Sequence, residues 1–379
     1  MTLKETGTIV SPAGVKGLTF LDEAETANRL AAQLRAGGAD AIVVLLHQGG
    51  RTSGGYNDKS CPELSGDIAP ILQRLDPAID VVISGHTHQA YVCEVPRLGQ
   101  APLLLTSAGR YGTLITEVRL SFDRAGRLSG RRADNVVVQN EGFTTGGEQV
   151  PPTNSLPRFA ADPRTVALVG RYAAAAAPLA ARVVGSLAGP VTTARNEAGE
   201  QTAGYLVADA QLAAGRGQGA QVAFVNQGGV RADLVPGASG AVTYGQAFAV
   251  QPFGNEVVVM TLTGGQLKAL LEQQFASGTN TPAQPKFLLP SEGFEFTYDL
   301  ARAAGQRVVA MRLGGRPIDP AQRYRVATNT FLATGGDNFT VFVQGGETVS
   351  VGLDLDALEG HLARGAAVPR LGRIRNAGR

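Results

Sequence analysis

Two of the chain's four histidines fall in Gly85-His86-Thr87-His88, directly after the apolar run Val81-Val82-Ile83. No other stretch narrows the possible folds as far. A third histidine, His47, closes a second apolar run, Ala41 to Leu46, and is followed by Gln48-Gly49-Gly50, which frees the backbone to turn close to a ligand. A helical pattern precedes each run. Asp22 and Glu25 form a capping-box pattern ahead of an apolar face of Ala27, Leu30, Ala31 and Leu34, and Gly37-Gly38 ends it. Asp67 to Leu75 places Ile68, Ile71, Leu72 and Leu75 on one face. Two helix-to-strand units in succession predict neighbouring parallel strands, and ligands in such sheets sit beyond the carboxyl ends. Imidazoles at i and i+2 on extended backbone would point the same way, so all three rings are expected to converge as metal ligands. His361, within the helical-looking stretch Leu355 to Leu362, is expected to pack as an ordinary helix residue.

A chain of 379 residues with 44% hydrophobic content can bury two cores. A net charge of +2, with the basic residues scattered, points away from a nucleic-acid polymer or an anionic membrane as partner. No apolar run approaches the roughly 20 residues that cross a bilayer. The start, Met1-Thr2-Leu3-Lys4-Glu5, is not an apolar signal segment. Cys61 and Cys93 flank the strand that leads to the histidine pair. A disulfide between them would brace that region in an oxidising compartment; two unpaired thiols are the alternative, and spacing does not choose between them.

Further strands are expected at Val15 to Phe20, Pro102 to Ser107 and Leu114 to Phe122, closing a first domain at residue 139. Asn140 to Leu156, rich in Gly, Thr and Pro, reads as a linker, and Asp162-Pro163 opens a helix that runs through Ala173 to Ala177 towards Pro178. The domains are therefore set at 1–139, a linker and helix at 140–182, and 183–379. The last should hold helices near Thr202 to Ala214 and Gln266 to Phe275. Its strands are expected at Val222 to Val225, over a long region from Val242 to Leu262, and at Phe294 to Tyr298, Val308 to Leu313 and Tyr324 to Thr328.

Three motifs in the second half suit a flat, phosphorylated ligand. Asn226-Gln227-Gly228-Gly229-Val230-Arg231 follows a strand, where glycines admit a ligand to the backbone and the guanidinium offers a planar fork to phosphate. In Gln251-Pro252-Phe253-Gly254-Asn255 the proline fixes the chain so that Phe253 is presented rather than laddered. Phe331 precedes Ala333-Thr334-Gly335-Gly336-Asp337. Two phenylalanines can sandwich a base, and the carboxylate can accept from ribose hydroxyls.

Leu46-His47 and Gly85-His86-Thr87-His88 resemble the last two motifs of the calcineurin-like metallophosphoesterases of the 5'-nucleotidase and UDP-sugar hydrolase family, and the second half carries that family's nucleotide motifs. The resemblance implies an α/β plus α+β architecture. Its parts would be the C-terminal portion of a four-layer αββα sandwich, a linker helix, and a mixed α+β nucleotide-binding domain. It implies that Arg231 and Arg195 contact the substrate phosphate and that Asn226 lies near the base. Gly228, Gly229, Phe253, Asn255, Phe331, Gly335, Gly336 and Asp337 would line the nucleoside pocket. His47 and His86 would share one of two divalent ions, zinc, manganese or similar, and His88 would serve the other. It also implies hydrolysis of nucleoside 5'-monophosphates, with UDP-sugar hydrolase and 2',3'-cyclic-nucleotide phosphodiesterase as variants, delivery of the phosphate by a domain rotation, and a secreted, periplasmic or cell-surface location.

The resemblance breaks before His47. Family members begin with Asp-x-His, Gly-Asp and Gly-Asn-His motifs, the last of which carries the catalytic histidine, and residues 1 to 40 contain no histidine. This chain alone is therefore expected to bind metal weakly and to hydrolyse little. A truncated or mis-started sequence would explain both that and the missing signal segment. A nucleotide-binding module that has lost catalysis is the alternative.

Overall fold

The computed structural model describes residues 1–10, 12–139, 142–145 and 148–378. The chain divides into two compact units, Met1–Thr6 with Gly17–Thr165, and Gly7–Lys16 with Val166–Arg379. A one-turn helix, α1 (Thr6–Ile9), spans the first boundary.

In the first unit α2 (Glu23–Ala36) starts as expected, with the Asp22 carboxylate accepting from the Glu25 amide at 3.0 Å. Its buried stripe is Ala24, Ala27 and Ala31; Leu30 and Leu34, expected to face the core, are exposed. β1 (Val43–Leu45), α3 (Ile68–Arg74) and β2 (Val81–Ile83) follow, and β1 and β2 pair in parallel. With β3 (Ala90–Arg97) and β4 (Gln100–Ala108) they form a sheet of order β1-β2-β4-β3.

The alternation of side chains along these strands makes the layers. Val82, Tyr91, Cys93, Leu103 and Leu105 pack with the helices. Val81, Val92 and Leu104 face the other way, against Val118, Leu120 and Ala133 of the hairpin β5 (Leu114–Phe122) and β6 (Leu128–Val137). Helix, sheet and sheet therefore stack in that order. Cys61 and Cys93 form a disulfide. The expected strand at Val15 to Phe20 is absent among the described residues: a 3-10 turn spans Pro12–Val15, and Gly17 takes a positive φ of 84°. The expected linker contains the short pair β7 (Phe143–Thr145) and β8 (Glu148–Val150). Asn140, its first residue, lies outside the described residues, as do Glu141, Gly146 and Gly147. α4 (Pro163–Ala180) runs through Pro178 and buries none of its residues.

The second unit is mixed. β9 (Val183–Ser186) and α5 (Thr202–Gly215) precede β10 (Val222–Asn226). The strand expected from Val242 to Leu262 is broken in two, β11 (Ala241–Thr243) and β12 (Glu256–Thr263), by α6 (Tyr244–Val250). The physical reason is a capping box: Thr243 and Gln246 satisfy each other's backbone amides, so the chain enters a helix despite its strand-like composition. The same device, Thr263 with Gln266, opens α7 (Gly264–Glu272).

β13 (Leu288–Pro290), β17 (Arg323–Asn329) and β18 (Gly346–Leu353) complete a five-stranded sheet of order β13-β10-β17-β12-β18. β14 (Phe294–Tyr298), β15 (Val308–Leu313), β16 (Arg316–Pro317) and β19 (Ile374–Asn376) form a second sheet, order β16-β15-β14-β19. α8 (Thr330–Ala333) and α9 (Asp354–Leu362) are the remaining helices; His361 lies in α9, and burial pushes its pKa down. Phe224, Phe275, Phe294, Phe296 and Tyr205 sit fully buried in the core. Among the described residues no helix is long and apolar enough to cross a membrane.

Candidate functional sites

In the first unit the histidines lie beyond the strands rather than on them. β1 ends at Leu45 and β2 at Ile83, and His47, His86 and His88 are exposed in the loops that follow. His86 and His88 each take φ of 58°, the left-handed region that non-glycine residues seldom occupy. That corrects the expectation of extended backbone with parallel imidazoles. The rings of His47 and His86 meet edge to face with centroids 5.2 Å apart, while His88 lies beside Tyr111 at 6.3 Å. The rings of His47 and His86 therefore meet.

The loops are locked together. A Cβ on Gly49 would overlap the Gly85 carbonyl, the Thr87 hydroxyl donates to the Gly50 carbonyl at 2.8 Å, and the Gly50 amide donates to the Tyr91 hydroxyl at 3.1 Å. Tyr91 is fully buried, and its hydroxyl also lies 2.7 Å from Ser84 Oγ. Among the described residues no three His, Cys, Asp or Glu side chains gather closely enough to hold an ion. Two nitrogens fall short of the about three or four protein ligands of a catalytic zinc site.

The second unit brings its motifs to one sheet edge by topology. β10 and β17 are parallel neighbours, so Gln227 to Arg231 and Thr330 to Asp337 both leave from carboxyl ends. β12 runs antiparallel beside β17 with Val257 opposite Asn329, which brings Phe253-Gly254-Asn255 to the same edge. Asn226 is buried at 4% exposure, and its Nδ2 donates to Asp337 Oδ2 at 2.7 Å. Gly228 lies against both residues. A Cβ on Gly229 would crowd the Asn226 amide, and one on Gly336 would collide with the Phe331 ring, so both positions require glycine for close approach. Gly335 has φ of 91° and Asp337 a strained φ of 54° and ψ of 26°, a conformation that costs about 1 to 3 kcal/mol and persists only where its surroundings impose it.

Phe253 is 53% exposed beneath the Arg231 guanidinium, which lies 5.7 Å from its ring centroid, and Phe331 is half-buried against the core. Arg195 reaches Gln227 Oε1 at 3.5 Å, and Gln227 Nε2 donates to the Gly199 carbonyl at 2.9 Å. Asn255 bonds inward: its Nδ2 donates to Asp354 Oδ2 at 3.2 Å, and its carbonyl accepts from the Asp354 amide at 2.8 Å. Burial pushes the Asp354 carboxyl above its ordinary range, partly offset by these bonds.

Sequence reasoning missed Lys286, whose Nζ forms an ion pair with Asp337 Oδ1 at 2.8 Å, and Asn280, which donates to the Asp337 carbonyl at 2.8 Å. Both come from an irregular stretch with no motif spacing, so no local signal marks them. Arg195, Arg231 and Lys286 outnumber the Asp337 carboxylate, a balance that favours an anionic ligand.

Residues 183–344 match the family model described as 5'-nucleotidase, C-terminal domain. The chain is 27% identical to the endonuclease YhcR of Bacillus subtilis over 86% of its own length, and 28% identical to the cell wall protein Lmo0130 of Listeria monocytogenes, also over 86%. It spans only 23% and 41% of those two proteins. A crystal structure of a 5'-nucleotidase precursor from Thermus thermophilus superposes with a TM-score of 0.77 at 27% identity, covering 100% of this chain and 72% of that one. Residues 183–344 of the second unit therefore carry the 5'-nucleotidase C-terminal domain, and over most of its length the chain is similar to 5'-nucleotidases.

Proposed function

We propose that this chain is part of a phosphoester hydrolase of the 5'-nucleotidase type and that its second unit selects a nucleoside 5'-monophosphate. One observation carries the reading: loops from three adjacent strands place Asn226, Arg231, Phe253, Phe331 and Asp337 at a single sheet edge, with Arg195 reaching in through Gln227. In this reading Phe253 and Phe331 stack on the base and Asp337 accepts from the ribose hydroxyls. Arg231 and Arg195 hold the phosphate through charge-assisted hydrogen bonds, and Asn226 both braces Asp337 and lies near the base. Residues 1–139 then form a partial metallophosphoesterase domain whose helix, sheet and sheet are three layers of an αββα sandwich. Residues 140–182 connect it to the nucleotide domain at 183–379. His47 and His86 would offer two nitrogens to a divalent ion; that set is incomplete, and the reading rests on the nucleotide side. The cell-wall relative and the Cys61–Cys93 disulfide support a location outside the reducing cytoplasm.

Calorimetry with AMP and adenosine on the full chain tests the proposal. AMP should bind more tightly than adenosine, and Arg231→Ala should weaken AMP by about 1.5 to 3 kcal/mol while changing adenosine little. Equal affinity of the unaltered chain for both ligands would sink the phosphate assignment. A second reading, a nucleotide-binding module without catalysis, is favoured because no three His, Cys, Asp or Glu side chains gather to hold an ion among the described residues. Phosphate release from bound AMP with zinc or manganese supports the hydrolase; binding without release supports the module.

A further inference from the structure

Lys286 and the segment around it hold Asp337 at more points than a surface ion pair needs. Asp337 and Asn338 both lie in the left-handed region, at φ of 54° and 65°. Residues 277 to 286 fix that bend from one side. Ser277 Oγ donates to the Asn338 carbonyl at 2.7 Å, Asn280 Nδ2 donates to the Asp337 carbonyl at 2.8 Å, and Lys286 Nζ meets Asp337 Oδ1 at 2.8 Å. Asn280 is 1% exposed, and the Asp337 side chain is 14% exposed. From the other side, Asn226 Nδ2 holds Asp337 Oδ2 at 2.7 Å.

An aspartate carboxylate turns easily about its last torsion, which is broad and two-fold. With Lys286 on one oxygen and Asn226 on the other, that rotation is blocked. A carboxylate has about four acceptor sites, so each oxygen keeps one for a ligand. Two fixed acceptors side by side match two neighbouring hydroxyls. A freely turning carboxylate would reorient to serve a single hydroxyl nearly as well.

We propose that Lys286 is a positioning residue that fixes Asp337 as a two-point acceptor for a vicinal diol, and so sets a preference for ribonucleosides over 2'-deoxyribonucleosides. This rests on the nucleoside reading above. The test is calorimetry of the full chain with adenosine and 2'-deoxyadenosine. The unaltered protein should favour adenosine by about tenfold or more, the effect of one hydrogen bond to a charged group. Lys286→Met should reduce that ratio to within about threefold, mainly by weakening adenosine, and Lys286→Arg should restore it. An ion pair that merely supports the loop would weaken both ligands alike and leave the ratio intact; that result, or a ratio near one in the unaltered protein, overturns the inference. If the unaltered chain binds neither nucleoside, it is the underlying reading that fails. Lys286→Gln serves as the second variant if the methionine side chain disturbs folding.

Discussion

The Asp337 carboxylate and the His86 imidazole both stand on left-handed backbone at the edge of a sheet, yet their surroundings differ. Asp337 is held at both carboxylate oxygens and at its carbonyl by Asn226, Lys286 and Asn280. The histidine loops are locked at the backbone, through Gly49, Thr87 and Tyr91, while the rings themselves are exposed, His47 and His86 meeting edge to face. In the second unit side-chain orientation is built in. In the first unit the loop path is built in, and a further ligand would have to complete the ring geometry. A pre-organised pocket loses little freedom on binding, whereas an open pair of rings must be ordered by what it binds.

The largest expected effect separates the two units by their crosslink. The disulfide spans 32 residues of the first unit, and removing it with Cys61→Ser and Cys93→Ser should cost about 2 to 4 kcal/mol. Hydrogen exchange on the full chain should show lost protection in β3, β4 and α3, with β10 and β17 unchanged. Equal losses in both units would mean that they unfold as one and would break the comparison.

Truncating the exposed ring is the next test. Phe253→Ala should weaken adenosine by about 1 to 3 kcal/mol. Because Phe253 is 53% exposed, the melting temperature should move little. Unaltered adenosine affinity would show that the ring is no stacking platform.

The smallest effect concerns acid. Burial alone would raise the Glu200 carboxyl, but donors from Tyr205, Ile374, Asn196 and Gly372 outweigh it and hold the group below its ordinary value of 4.5. A carboxyl with a depressed folded pKa contributes stability above its unfolded pKa and loses it as pH falls through the folded value. The second unit should therefore weaken progressively as pH drops below 4.5, and Glu200→Gln should flatten that slope. The same slope in the variant would assign the acid sensitivity elsewhere. Glu200 ties the start of α5 to Gly372 and Ile374 near the chain end, so the loss should appear first in β19 exchange.

How far residues alone could be read depended on the range of the interaction. The starts of α2 and of the strand β10 follow from neighbours a few positions apart, a cap and an apolar run, and those were legible; α7 was expected from Gln266, two residues past its true start at Gly264, because the Thr263 cap was not recognised. Also legible were the exposure of Phe253 after Pro252 and the glycines at 229, 335 and 336, which close approach or a positive φ requires; Gly228 has room for a side chain. The same local rules misjudged Val242 to Leu262, where strand-forming composition concealed the Thr243 and Gln246 cap, and the histidine pair, where alternation suggested a strand that ends at Ile83.

What the sequence determined by itself was the inventory: which side chains could carry charge, stack or coordinate, and which turns needed glycine. Only the tertiary structure decided which of them meet. The bond between Asn226 and Asp337 joins residues 111 apart, and the one between Lys286 and Asp337 joins residues 51 apart. Strand order brings these contacts together, and strand order is set by burial summed over the whole sheet rather than by any local run.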